Sequence, residues 1–390
     1  MLHFCHIKDG TRTATCMTKP SSTRRSAIIE SGSARRGPAT WKVPEIMATL
    51  GPTLEKQEDL RQAIEAGVRW VRLPCGYRQR PHVENARAAR AAANQTGLSV
   101  QLLLDLPSSR PRTGTMQDLQ LAAGDAVLFW DPEAIDMAPS KNGAWPVPLP
   151  GLRELVDKLA PNHRMWFCDG RLNFVVDGLQ NGVVAAHLVE GSIPLKSSNA
   201  LFLPDSSSGF TAITQLDRDL LEEFAAAKIM PDWVALSLIA SPRDVREGRA
   251  EARKCLGAEV RVMAKFETVA AVECAEAIIE VADGIMVARG DLGLAVGYTR
   301  LPGVQEQLVS AARRAGKPVV VATQILETFA ATGLPQRPEL SDLSLIARQR
   351  ADAIMLGKET VFSPRPLDCI RLASEVLTYE TRRFEQAYGT

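Results

Sequence analysis

A chain of 390 residues, 45% apolar and 23% charged, has enough material for a large buried core and for more than one compact domain. A formal charge of +1 gives no electrostatic reason for a nucleic-acid partner, and no apolar run approaches the roughly 20 residues that span a bilayer. Seven scattered cysteines, never spaced CxxC, argue against a disulfide framework or structural zinc and fit a reducing, cytoplasmic setting. The five histidines form no HExxH pattern, so any metal is expected to be oxygen-ligated.

Residues 1–40 differ from the rest: Lys8, Arg12, Lys19, Arg24, Arg25, Arg35 and Arg36 face only Asp9 and Glu30, among many Ser and Thr. That composition is compatible with an organelle-targeting segment, but without a clear amphipathic helix the preferred reading is an unstructured tail. From there, short apolar runs closed by polar or glycine punctuation recur at Ile46–Leu50, Val68–Leu73, Val100–Asp105, Trp233–Ser237, Val260–Lys265, Gly284–Ala288, Pro318–Thr323 and Ala353–Leu356. Helical spacing of apolar residues lies between them, at Leu54–Ala66, Ala270–Val281, Val304–Ala315 and Leu343–Arg350. Nearly continuous apolar strands alternating with helices predict a parallel sheet covered on both faces. Eight such units predict an α/β fold of the (β/α)8 TIM-barrel type.

One connection is too long for a barrel loop. Between Asp105 and Trp233 the stretch reads as short β runs, at Asp125–Phe129, Arg164–Cys168, Leu172–Val176 and Val183–Val189. The expected organisation is a tail (1–40), a first barrel segment (41–114), an inserted β-rich lid (115–209) and a second barrel segment (210–390). A last helix runs from Leu367 to about Phe384.

Polar residues cluster where such a barrel places its active site. Arg72, Asp105, Lys265, Glu267, Asp291 and Thr323 all fall at or just past the C-terminal ends of predicted strands. Lys265-Phe266-Glu267 and the run Asp283–Gly293 bring an ammonium group and two carboxylates to strand ends, a combination suited to a hard cation and a phosphate.

With these residues the chain resembles the pyruvate kinase family from about Lys42 to Phe384. The resemblance is carried by Ala48-Thr49-Leu50-Gly51-Pro52, Val71-Arg72-Leu73, Leu103-Leu104-Asp105-Leu106, Arg112-Thr113-Gly114, Lys265-Phe266-Glu267, Asp283–Gly293 and Ala322-Thr323-Gln324. It implies phosphoryl transfer between phosphoenolpyruvate and ADP, giving pyruvate and ATP, with a divalent metal (Mg²⁺ or Mn²⁺) and usually K⁺. It implies Glu267 and Asp291 as metal ligands, and Lys265 as the cation that neutralises the phosphoryl group in flight. Arg72 and Arg112 become phosphate contacts, Thr323 part of the proton relay to the enolate, and the backbone N–H groups of Arg289 and Gly290 a seat for the substrate carboxylate. Asp169 and Lys196 match lid positions that approach the nucleotide. The partners implied are small molecules, with no nucleic acid and no membrane; a homo-oligomer formed through the barrel is compatible with the resemblance.

The departures from the family pattern are concentrated. Where the family has Asn-Phe-Ser-His, this chain has Pro74-Cys75-Gly76-Tyr77, which lacks the side-chain oxygens that serve potassium. In the monovalent-cation region near Asp105, Arg110 replaces a glutamate that accompanies potassium dependence, so its guanidinium is expected to supply the charge of a bound K⁺. Ser-Gly-Glu-Thr becomes Gly357-Lys358-Glu359-Thr360, losing a hydroxyl linked to proton delivery, and Thr-Arg-Ala-Glu becomes Gln336-Arg337-Pro338-Glu339. The family's C-terminal regulatory domain is expected to be absent. Two other readings stay open at this level: a nucleotide-independent Mg-enolate enzyme (a lyase or decarboxylase on pyruvate or oxaloacetate), and a catalytically inactive paralogue that binds phosphoenolpyruvate.

Overall fold

The computed structural model of the protein describes residues 41–76, 81–108, 110–136, 138–139, 143–205 and 213–388. The expectations for residues 1–40, for Tyr77 and for the return to the barrel near residue 210 lie outside the described residues.

Among the described residues thirteen strands form two sheets. In chain order they are β1 (Glu45–Thr49), β2 (Val68–Pro74), β3 (Gln101–Asp105), β4 (Ala126–Trp130), β5 (Ala144–Pro148), β6 (Arg164–Phe167), β7 (Leu172–Gln180), β8 (Val183–Gly191), β9 (Trp233–Leu236), β10 (Arg261–Phe266), β11 (Gly284–Ala288), β12 (Val319–Ala322) and β13 (Ala353–Leu356). Eight close into a barrel in the order β1-β13-β12-β11-β10-β9-β3-β2, every pair parallel. Each matches its predicted run to within one residue at either end.

All residues of β9, β11, β12 and β13 are buried, as strands covered on both faces must be. One face looks into the barrel, where Met47, Met263, Met286 and Met355 fill the space around Trp70 and Trp233, whose rings lie 5.5 Å apart. Unbranched thioether chains suit such an irregular interior. The other face packs against the helices. Helix Pro242–Leu256 starts at a capping box in which Ser241 accepts from the Asp244 N–H and the Asp244 carboxylate accepts in return. The single helix expected over Ala270–Val281 is two, Val269–Glu273 and Ala275–Val281, interrupted at Cys274; no proline or glycine marks the break.

The second sheet has the order β5-β4-β8-β7-β6 and encloses its own core around Phe129, Phe167 and Phe174. The four β runs expected here are all present, β7 and β8 longer than expected. The fifth strand, β5, escaped the sequence because Pro146 and Pro148 disguise it. As an edge strand it pairs only with β4, so the missing N–H groups cost little. Outgoing and returning chains are zipped together below this sheet: the Thr113 N–H donates to the Asn199 carbonyl and the Ser198 N–H to the Thr113 carbonyl.

Candidate active site

At the C-terminal mouth of the barrel lies a cavity of about 250 Å³, walled by barrel strand ends and reached by Asp169 of the second sheet. Arg72, Arg110, Arg112, Lys265, Glu267, Gly290, Asp291 and Thr323, all singled out from the sequence, line it.

Lys265 is the centre of the arrangement. It is the penultimate residue of β10, and its side chain is buried. The ammonium has three protons and three acceptors: Ser237 Oγ at 2.7 Å, Asp105 Oδ1 at 3.1 Å and Glu267 Oε1 at 3.1 Å. Burial would favour a neutral amine, but Asp105 and Glu267 outweigh it and raise the pKa above 10.5, so the cation persists. Ser237, one residue past β9, keeps its lone pairs toward Lys265 by donating its own proton to the Leu106 carbonyl at 2.8 Å.

Asp105, the last residue of β3, is buried between two cations. Lys265 holds Oδ1, while Nε and Nη2 of Arg72 both lie 2.6 Å from Oδ2. Burial pushes this carboxyl up; Lys265 and Arg72 push harder, and its pKa falls below 3.8. The opposite oxygen of Glu267 accepts from the Leu238 N–H at 2.7 Å, which fixes the carboxylate relative to β9.

Across the cavity Arg110 is partly buried, with its Nη1 2.8 Å from Asp291 Oδ2. Burial would lower its pKa, but Asp291 and Glu267 outweigh it and raise it above the ordinary guanidinium value. The sequence associated Arg110 with Asp105 and a potassium site. Its ion pair is instead with the acid expected to serve the divalent metal; the fixed cations on Asp105 are Arg72 and Lys265.

Helix Arg289–Val296 opens directly after β11 and carries Asp291 in its first turn. The Gly290 N–H donates to Thr323 Oγ at 2.8 Å, and that hydroxyl donates to the Ala322 carbonyl at 2.6 Å. Thr323 and Gln324 both adopt left-handed backbone, with φ of 74° and 52°. The Arg289 side chain points away from the cavity mouth and stabilises this bend. Its guanidinium donates to the Thr323 carbonyl at 2.6 Å and the Gln324 carbonyl at 3.1 Å, and grips both oxygens of Asp342 at 2.7 and 2.8 Å. Asp283, which begins the long motif, is structural: it accepts from the Val262 N–H and pairs with Arg249 at 2.9 Å.

Arg112 donates to the Ser198 carbonyl at 2.9 Å at the base of the second sheet. Lys196 stands apart. It pairs with Asp118 at 2.8 Å and does not line the cavity. Ser237, Glu327 and Lys358 line the cavity without having been proposed from the sequence. Ser237 had the same signal as the others, a polar residue ending an apolar strand.

Two hard carboxylates, Glu267 and Asp291, face one cavity, which fits a divalent cation that also keeps water and substrate oxygens as ligands. Among the described residues no cluster of three or more His, Cys, Asp or Glu side chains forms a closed metal cage.

The model for the pyruvate kinase barrel domain matches residues 41–370. A pyruvate kinase of Methylorubrum extorquens is 33% identical over 339 residues, covering 85% of this chain and 68% of the relative. One of Mycobacterium tuberculosis is 30% identical over 335 residues, covering 85% and 69%. The crystal structure of Cryptosporidium parvum pyruvate kinase superposes with a TM-score of 0.78 at 25% identity, covering 88% of this chain and 71% of that one. Closed barrel, inserted sheet, strand-end cations and acids, and sequence similarity over most of the chain agree: this chain belongs to the pyruvate kinase family.

Proposed function

We propose that this chain transfers a phosphoryl group between phosphoenolpyruvate and ADP, giving pyruvate and ATP. The observation that carries this reading is the buried, permanently charged Lys265 at the barrel mouth, beside Glu267 and across the cavity from Asp291. Phosphoryl transfer asks the protein mainly for position and compensating charge. Arg72 and Arg112 offer guanidinium groups to phosphate oxygens. Lys265 compensates the charge on the phosphoryl group as its bond to the enolate oxygen breaks and one to the ADP β-phosphate forms. A phosphoryl oxygen reaching that ammonium takes the place of one of its three present acceptors. The enolate left behind gains a proton at its terminal carbon, and the Thr323 hydroxyl is positioned by the Gly290 N–H to take part in that delivery. Asp169 approaches the nucleotide from above, and Lys196, beyond β8 and paired with Asp118, stands further out.

Glu267 and Asp291 would hold the divalent ion, Mg²⁺ or Mn²⁺. When bound, that ion supplies charge stabilisation to the phosphoryl and enolate oxygens. Both oxygens of Asp105 are already committed to fixed cations. That arrangement, together with Pro74 and Arg110, favours activity without K⁺.

A nucleotide-independent enolate enzyme is favoured by one observation, the pairing of Lys196 with Asp118 away from the cavity. A coupled assay of pyruvate formation from phosphoenolpyruvate, with Mg²⁺ and with or without ADP, separates the two. Strict dependence on ADP is expected. Pyruvate formation at the same rate without ADP overturns the phosphotransferase reading.

A further inference from the structure

The short helix after β13, Lys358–Val361, opens on a lysine. A lysine in that position gains nothing from the helix itself. The reason for a cation lies in what faces it. Nζ is 3.4 Å from Oδ2 of Asp169, in the turn between β6 and β7, and 3.3 Å from Oε1 of Glu327, which opens helix Glu327–Thr332 beyond β12. Burial would lower the lysine pKa, but Asp169 and Glu327 raise it. One ammonium therefore joins the inserted sheet to the barrel across the cavity rim.

The same turn has a second seat. Cys168, Asp169 and Gly170 take consecutive positive φ values of 55°, 57° and 80°, a tight shape that fixes the direction of the carboxylate. Gly170 lies so close to helix Arg289–Val296 that an added Cβ would come within 2.8 Å of Leu294. An apolar contact and an ionic contact thus hold one turn above Asp291 and Lys265.

We propose that Lys358 is a positioning residue that latches this lid, tying Asp169 to Glu327 so that the lid turn stays over the cavity. Its consequence for turnover rests on the phosphotransferase reading; the contact itself does not. The Lys358 side chain is half-exposed, so the latch is weak enough to open at every cycle and strong enough to shift the lid population.

Hydrogen exchange on the full-length chain tests it, comparing the peptide spanning Cys168–Arg171 with the β10 peptide as a reference for the fold. Lys358→Met and Asp169→Asn should each speed exchange in the turn by roughly threefold to tenfold, leave β10 unchanged, and show no further gain when combined. Lys358→Arg should restore most of the protection. In turnover, Lys358→Met should raise KM for ADP more than it lowers kcat. Should Lys358→Met fail to fold, Glu327→Gln reads the same latch from its other end and should speed exchange in the turn. Unchanged turn exchange in the folded variants, or effects that simply add in the double variant, would overturn the latch. Because exchange needs no catalysis, an inactive wild type would count against the phosphotransferase reading and leave the latch still measurable.

Discussion

Lys265 is placed by three acceptors drawn from three strands, and each has a separate job. Ser237 gives direction, Asp105 gives charge and links to Arg72, and Glu267 joins the cation to the metal side. Ser237→Ala should therefore cost roughly tenfold in kcat with KM for phosphoenolpyruvate little changed, because the ammonium loses its aim and keeps its charge. Steady-state kinetics over both substrates checks this. Asp105 has a stability consequence. Its folded pKa lies below the unfolded value of 3.8, so its contribution is fully present above that value and is lost as pH falls below it. Acid unfolding of Asp105→Asn, followed by circular dichroism, should begin from a lower plateau and show a shallower loss below pH 3.8 than the wild type. Arg110 shields Asp291 with a fixed positive charge, so Arg110→Gln should tighten Mn²⁺ binding without substrate by roughly fivefold or more, read as free Mn²⁺ by electron paramagnetic resonance. Weaker binding would mean that Arg110 orients the acid instead of competing with the ion. The acids and Lys265 were legible because each sits in a local motif. Ser237 carried the same strand-end signal and was passed over, whereas Glu327 and Lys358 were not legible, because their roles come from partners on other elements, as when Lys358 meets Asp169 of the inserted sheet.

At the scale of the element, the barrel strands were readable because burial on both faces makes each an apolar run with a polar end. β5 was not, since two prolines break its pattern and only an edge position tolerates them. The helix split at Cys274 carries no breaker residue, and nothing in its local sequence distinguishes it from a continuous helix. Gly248 shows how closely a helix can be fitted to its strand: within helix Pro242–Leu256 its backbone lies directly on Leu236 of β9, leaving no room for a Cβ. Ala is normally the better helix former, yet here Gly248→Ala should cost about 1–3 kcal/mol through overpacking. A lower denaturant midpoint with unchanged slope would be the expected signature. The proline in Gln336-Arg337-Pro338-Glu339 has a simple place too: it lies in the first turn of helix Arg337–Gln349, where its missing N–H has no helical partner to lose, and the Glu339 carboxylate accepts from the Gln336 N–H at 2.9 Å.

The described residues place a barrel under an inserted sheet, and the cations gathered at the barrel mouth support the proposed independence from K⁺. Arg72 and Lys265 neutralise Asp105 from within the barrel, and Arg110 and Lys358 place further cations around the rim. Turnover should accordingly be the same in K⁺ and in tetramethylammonium at equal ionic strength. The central claim is that Lys265, Glu267 and Asp291 together support phosphoryl transfer from phosphoenolpyruvate to ADP. Its most direct test is ATP formation from phosphoenolpyruvate, ADP and Mg²⁺ by the wild type alongside Lys265→Met and Asp291→Asn. The account predicts ADP-dependent ATP formation by the wild type and a loss of roughly a thousandfold or more in each variant. ATP formation by both variants at the wild-type rate, or none by any of the three folded proteins, would contradict it.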